Sequence, residues 1–244
     1  MCTQYVPTRA QRLEALWGRA PSRDDYPAEA FPGYLAPVLR RGEPDSVHTP
    51  SVELALFGLI PPWSREGKDF RHCYNARSET VAEKPSFRHA WRQRQWCVIP
   101  ADAFFEPCYD SGRPVRWRIE SSDGAPLALA GLWEQWRTAQ GDSVLSFSML
   151  TLNADEHPVM NRFHAPGDEK RSVVLLEPAQ VPLWLDADHQ QARELIAPFD
   201  PARVHSYAAP KPSKPPRTSS PGSATRRMPD TPLPGSPTTG TLFD

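Results

Sequence analysis

The 244-residue chain has only four cysteines, at positions 2, 73, 97 and 108, and no two stand in C-x-x-C spacing. That excludes a disulfide-stapled scaffold and points to reduced thiols in a cytoplasmic setting. His72, Cys73, Cys97 and Cys108 share no spacing typical of zinc ligands, so no metal and no cofactor is expected. No apolar run approaches the roughly 20 residues of a membrane span, and no membrane is expected as a partner. Polar and charged residues come early (Thr3, Gln4, Arg9, Arg12), so no signal peptide is expected either. Charge of one sign is also missing: 28 basic and 29 acidic residues leave a net charge of −1, which argues against nucleic-acid binding by bulk charge alone.

What the chain does have is length and apolar content enough for a buried core, with eight tryptophans and 39% hydrophobic residues. A helix is predicted over 8–17, with Thr8 as its N-cap and Gly18 at its end. A strand near 34–39 interrupts a proline-rich stretch, and a second over 52–60 stops at Pro61-Pro62, where no backbone donor can continue a ladder. Residues 86–94 read as a helix capped by Ser86. Strands follow at 96–100 and 103–106, with a turn at Asp110-Ser-Gly112. Val115, Trp117 and Ile119 then alternate with Arg116, Arg118 and Glu120, the pattern of a half-buried antiparallel strand. Residues 127–136 and 144–152 are expected to pair as a hairpin, and 173–176 to form one more strand. Asp186 or Asp188 caps a helix running to about Ala197. Strands joined by hairpins outnumber helices, so the expected fold class is α+β: a mainly antiparallel sheet core with peripheral helices, in one domain over 1–208. The remaining residues, 209–244, hold nine of the 29 prolines. They have few large apolar residues and are expected to form a disordered tail. Its end, Thr241-Leu-Phe-Asp244, has the character of a short hook for a partner protein.

Charge, balanced overall, is not balanced locally. Between Arg65 and Arg94 there are eight basic residues (Arg65, Lys68, Arg71, Arg77, Lys84, Arg88, Arg92, Arg94) against four acids. Trp63, Phe70, Phe87 and Trp91 are interleaved with them. Cations for phosphates and aromatics for base stacking together are the footprint of a single-stranded nucleic-acid surface.

The chemistry begins at Cys2. Removal of the initiator methionine leaves this residue with an α-amine beside its own thiol, a 1,2-aminothiol. Both groups titrate near neutral pH, at roughly 7.7–8.0 and 8.5, so both are available as nucleophiles. With an aldehyde the amine forms an imine, and thiol addition closes a five-membered thiazolidine. Such a site needs groups to hold the aldehyde, move protons and bind phosphate. Asn75, in Tyr-Asn-Ala-Arg-Ser-Glu, offers an untitratable donor with the Arg77 guanidinium two residues on. Glu106 follows Phe104-Phe105, and burial there favours the protonated carboxyl that a proton shuttle requires. His164, beside Arg162 in a loop between strands, offers an imidazole, with His157 its rival.

Four segments taken together resemble one family. Cys2, Leu59-Ile-Pro-Pro-Trp63, Asn75-Ala-Arg-Ser-Glu-Thr80 and Cys97-Val-Ile-Pro-Ala-Asp-Ala-Phe-Phe-Glu106 closely resemble the SOS-response-associated peptidases, or abasic-site processing proteins, in order and spacing over about residues 2–205. The resemblance implies a covalent thiazolidine crosslink between Cys2 and the ring-opened aldehyde of an abasic site in single-stranded DNA. It further implies that Asn75 positions nucleophile and sugar and that Glu106 moves protons. His164 then assists ring opening and reversal, and Arg77 holds the adjacent phosphate. Ser78 and Arg162 join the DNA-binding set, and Pro62 and Trp63 lie where the strand kinks. The family name also implies a peptidase activity on whatever precedes the cysteine. The chain departs from the family pattern in three places: Pro107 follows the glutamate where tryptophan is frequent, Thr3-Gln4-Tyr5 stands where Gly-Arg is frequent, and the usual His-x-Arg-Met-Pro string is replaced around His164. Two other functions fit parts of the chain: a cysteine peptidase with Cys2 as N-terminal nucleophile acting on protein substrates, and a non-catalytic single-strand DNA-binding module. The protein is expected to act as a monomer, with a replication-associated partner for the tail.

Overall fold

The computed structural model describes residues 2–42, 49–138 and 140–211. The expected tail lies, apart from residues 209–211, outside the described residues. Residues up to Pro210 form one compact unit.

A strand of thirteen residues, β5 (Trp96–Cys108), organises this unit. Two strands were expected at 96–100 and 103–106. They are one, because Pro100 loses a donor but keeps its acceptor, which takes the Thr8 N–H at 3.2 Å. The first half of β5 pairs with β2 (Leu35–Arg40) and β7 (Leu127–Arg137); the second half pairs with β1 (Tyr5–Pro7) and β6 (Val115–Ser121). β7 forms the expected hairpin with β8 (Ser143–Asn153), and β8 meets β3 (Ser51–Phe57), which pairs with β2. The path β5–β7–β8–β3–β2–β5 therefore closes on itself as a five-stranded barrel-like sheet. Most pairings are antiparallel. The exceptions are β3 and β4 (Asn75–Arg77), each parallel to β8.

The period-2 alternation of the strands sorts side chains to the two faces. On β5, Cys97, Ile99 and Ala101 join Tyr5, Phe57, Leu129, Phe147 and Met149 in the inner core. Trp96 and Val98 point outward to Ala130, Leu132, Leu150 and the helices. Phe57 and Phe147 stack with centroids 5.2 Å apart, and each fully buried side chain of this kind contributes about 1.5–3 kcal/mol. The outer core is built on Trp96, flanked by Trp91 of α2 (Arg88–Arg92) and Trp184 of α3 (Gln180–Asp186). The Trp96 indole N–H donates to Ala187 O and that of Trp184 to Cys97 O.

Several boundaries differ from expectation for identifiable reasons. The first helix, α1 (Ala10–Trp17), is preceded by Arg9, not capped by Thr8, whose hydroxyl instead donates to Asp102 at 2.9 Å. Ser86 does not cap α2 either; Phe87 stands at that position. β3 ends at Phe57 because Gly58 adopts φ +114° and a Cβ there would meet Phe70 O at 2.3 Å. The strand expected at 173–176 is two: β9 (Arg171–Val173) on β8 and β10 (Leu175–Leu176) on β7. The last helix, α4 (His189–Leu195), has a capping box in which Asp188 accepts from the Gln190 and Gln191 N–H groups. The short strands β1 and β4, helix α3, and β11 (Val204–Ala208) on β6 had no local signal. Among the described residues no helix is long and apolar enough to cross a membrane.

Candidate active site

The β1–β5 pairing carries the residues before Tyr5 along the stretch of β5 that holds Glu106. Cys2 is buried. Its thiol approaches Gln4 O at 3.5 Å, and its own carbonyl accepts a 2.8 Å hydrogen bond from the Asn75 amide nitrogen. Burial and the neighbouring Glu106 carboxylate push the thiol up to about 12, so it is held as S–H at neutral pH.

Asn75 reaches Cys2 from β4, which is anchored on β8 by the pairs Asn75–Met149, Ala76–Leu150 and Arg77–Thr151. Alternation buries Ala76 in the outer core and places Arg77 on the same side of the strand as Asn75. The following Glu79 clamps Arg171 through two bonds, at 2.8 and 2.9 Å. Arg171 is itself buried and also donates to Thr151 O. That bidentate pair fixes the turn after β4 to β9.

Glu106 and His164 are both buried, and the Glu106 Oε2 to His164 Nε2 separation is 3.1 Å. The loop bearing His164 is tied to the end of β5: its N–H donates to Pro107 O at 2.9 Å, and Phe163 bridges Cys108. His164 has φ +68°, a left-handed conformation costly for a residue with a Cβ, and such strain collects at functional sites. His157 is differently engaged. Its Nδ1 accepts from the Val159 and Met160 N–H groups, which places the proton on Nε2, where it donates to Phe199 O. The ring is packed on Phe199, and burial holds it below 6.5, in the neutral form. Both nitrogens are committed to holding the loop, so the structure brings His164, not His157, to Glu106.

The remaining predicted residues lie on the surface. Trp63 is 54% exposed with its indole N–H on Pro85 O, and Pro62 beside it is exposed. Arg77 pairs with Glu169 at 2.6 Å. Ser78 is fixed by its N–H to Thr151 O. Arg162 pairs with Asp110 and lies 4.3 Å over the Trp117 ring. All eight cations of the 65–94 stretch are exposed. Most of its aromatics are not: Phe87 and Trp91 are core residues and the half-buried Phe70 ring lies against Gly33, so of the interleaved aromatics only Trp63 is exposed. Among the described residues, no group of three or more His, Cys, Asp or Glu side chains could hold a metal.

A profile of the family described as SOS response associated peptidase (SRAP) matches residues 1–212. The chain belongs to the SRAP family. A relative in Bacillus subtilis, abasic site processing protein YoqW, is 31% identical over 68% of this chain and 72% of its own length. The mouse abasic site processing protein HMCES is 24% identical over 76% of this chain, which spans 60% of that protein. A crystal structure of a Bordetella bronchiseptica protein superposes with a TM-score of 0.78 at 36% identity, over 85% of this chain and 99% of that one. One from Bacteroides thetaiotaomicron, at 21% identity and a TM-score of 0.71, shares the fold.

For this SRAP protein, sequence reasoning gave no partners to Gln4, two residues from Cys2, or to Glu29 and Arg116, and the three bond one another. Arg116 stood in the sequence as an outward-facing strand residue. No local pattern announces a partner 112 positions away.

Proposed function

We propose that the protein processes abasic sites in single-stranded DNA by covalent capture of their ring-opened aldehyde at Cys2, once Met1 has been removed. The observation that carries this reading is the Asn75 bond to the Cys2 carbonyl, which holds residue 2 where the buried Glu106, paired with His164, bears on its thiol. The names of the curated relatives point to the same substrate.

In the proposed sequence the neutral α-amine of Cys2 adds to the aldehyde carbon. Glu106, after taking up the proton that the ammonium form of the amine gives up, donates it to the carbinolamine oxygen, which leaves as water and gives the imine. The thiol, kept protonated by burial, then adds across the C=N bond: a C–S bond forms and the thiol proton is transferred to nitrogen. One water is released overall. Glu106 regains its proton from the nitrogen that becomes neutral, and His164, at 3.1 Å, orients the carboxyl and relays protons in ring opening and reversal. Arg77, exposed beyond Asn75, meets the phosphate next to the lesion, exchanging Glu169 for it. Pro62 and Trp63 bear on the kinked strand, and Ser78 and Arg162 complete the contact surface. The protein acts as a monomer, and its tail recruits a replication-associated partner.

The test is incubation of the protein with a uracil-containing single-stranded oligonucleotide treated with a glycosylase. A heat-stable shifted band is expected with wild type and none with Cys2→Ala. No band with wild type, or an equal band with Cys2→Ala, overturns the reading. Intact mass establishes that the molecules tested have lost Met1. The peptidase suggested by the family description gains if a precursor with residues before Cys2 processes itself and its Glu106→Gln variant does not.

A further inference from the structure

Residues 2–4 stand outside the β1–β5 ladder, which begins at Tyr5. Two backbone anchors hold them: Asn75 on the Cys2 carbonyl, and the Phe105 N–H on Gln4 O at 3.0 Å. The rest of the hold comes from the buried Gln4 side chain. Its amide nitrogen donates to Glu29, and its amide oxygen accepts from Arg116 Nε at 3.2 Å. Arg116 Nη2 closes the ring by donating to Glu29 at 2.7 Å.

Arg116 is also tied to the strand that carries Glu106. Its guanidinium lies 3.4 Å from the centroid of Phe105, the residue preceding Glu106 and the one whose N–H holds Gln4. Its third nitrogen, Nη1, donates to Ala209 O at 3.1 Å, while Ala209 N–H donates back to Arg116 O. Every guanidinium nitrogen is thus bonded within the protein, and the side chain is only 19% exposed. A cation so occupied is built to hold rather than to meet a phosphate. Arginine suits it because its planar fork bonds several acceptors while stacking on an aromatic face.

We propose that Gln4, Glu29 and Arg116 form a positioning latch that fixes the Cys2 amine and thiol relative to Glu106, and that they act on aldehyde capture through that placement. The inference rests on the covalent-capture reading, and it adds three residues that touch neither aldehyde nor DNA. A misplacement of about 1 Å between nucleophile and proton donor is enough to slow a reaction up to about 10²-fold.

The full-length protein, with Arg116→Ala, Arg116→Lys and Glu29→Gln, tests it through two readouts. With the abasic oligonucleotide, Arg116→Ala is expected to lower the crosslinking rate at saturating DNA by about tenfold, the factor set by loss of one charge-assisted hydrogen bond. The half-saturating DNA concentration stays within about twofold, and Arg116→Lys recovers only part of the rate. With iodoacetamide, Cys2 alkylation becomes about tenfold faster in Arg116→Ala and Glu29→Gln, followed by peptide mass spectrometry, with Cys97 in the barrel core as the control for intact fold. Unchanged rate and unchanged Cys2 alkylation overturn the latch. So does a raised half-saturating concentration with unchanged maximal rate, which makes Arg116 a DNA contact. If Cys97 also reacts faster in Arg116→Ala, the partly exposed Glu29→Gln decides by the same criteria. If wild type forms no crosslink, the covalent-capture reading fails by itself, while the alkylation rates still decide the latch.

Discussion

Two of the glutamate–histidine pairs among the described residues, both built on a buried glutamate, lie in different surroundings. In one, Glu134 of β7 is buried and His89 of α2 is 48% exposed, with 2.7 Å between them. Glu134 also accepts from the Gln95 amide at 3.3 Å and from the Gln135 N–H at 3.1 Å. Its lone pairs are spent on fastening α2 to the barrel, and the histidine faces water. In the other, Glu106 and His164 are both under a tenth exposed, and the carboxylate bears on the Cys2 thiol. The histidine sits there only because its loop is held in a strained left-handed turn. The same two residue types make a fastener in one place and, in the proposed function, a proton-transfer pair in the other. The difference lies in what else each carboxylate serves and whether solvent reaches the imidazole.

The sharpest way to break that comparison is to amidate both acids. Glu106→Gln removes the proposed proton donor and is expected to slow crosslinking by about 10²–10⁴-fold. Glu134→Gln leaves the crosslinking rate within about twofold but costs about 1–3 kcal/mol of stability, since an amide N–H₂ then faces donors. Band-shift kinetics and thermal melts on both variants separate the two roles, and equal rates would erase the distinction.

The two histidines of the 157–164 loop sharpen it further. His157→Ala strands the Phe199 carbonyl and two backbone N–H groups, at an expected cost of about 1–3 kcal/mol. His164→Asn, a residue that tolerates the left-handed conformation, keeps the melting temperature and changes the rate of crosslink formation or reversal by about tenfold. A pH titration adds a sign. His157 is pushed below 6.5 in the fold, so the unfolded chain takes up its proton first. Stability is then full above about 6.5 and falls as pH drops below it, a slope that His157→Asn reduces.

The smallest expected effect concerns the Cys2 thiol. Held up to about 12, it is alkylated slowly at neutral pH, and its rate rises roughly tenfold per pH unit without a plateau below that value. The unfolded thiol ionises near 9 while the folded one keeps its proton. This contribution to stability is therefore present below about pH 9 and lost as pH rises toward 12, and Cys2→Ala removes it. A thiol that titrates near 8.5 in the folded protein would place Cys2 in solvent and undo the buried site.

Much of the fold was legible in the chain because its signals are local. The alternation at 115–120, the hairpin at 127–152 and the capping residues before 189 lie within a few positions of what they specify. The short strands β1, β4 and β11 were not legible, since three to five residues show no period and exist only because β5, β8 and β6 offer an edge. Aromatics at 87 and 91 read as a stacking surface because sequence shows their spacing but not which side of α2 the barrel covers. His157 and His164 were left as rivals for the same reason.

By itself the sequence determined the family, the α+β class and the residue types available for chemistry, because strings such as Asn75-Ala-Arg-Ser-Glu-Thr80 carry their meaning in order and spacing. Only the tertiary structure decided which side chains meet. Asn75 reaches Cys2 across 73 positions, and Gln4 reaches Arg116 across 112. His164 reaches Glu106 because its loop is bonded to Pro107 and Cys108 at the strand end. Such pairs depend on the register of β1 and β6 on β5 and on closure of the ring. A shift of one residue in a strand turns every side chain to the opposite face. No short-range pattern encodes that register, so the site exists only once the sheet has closed.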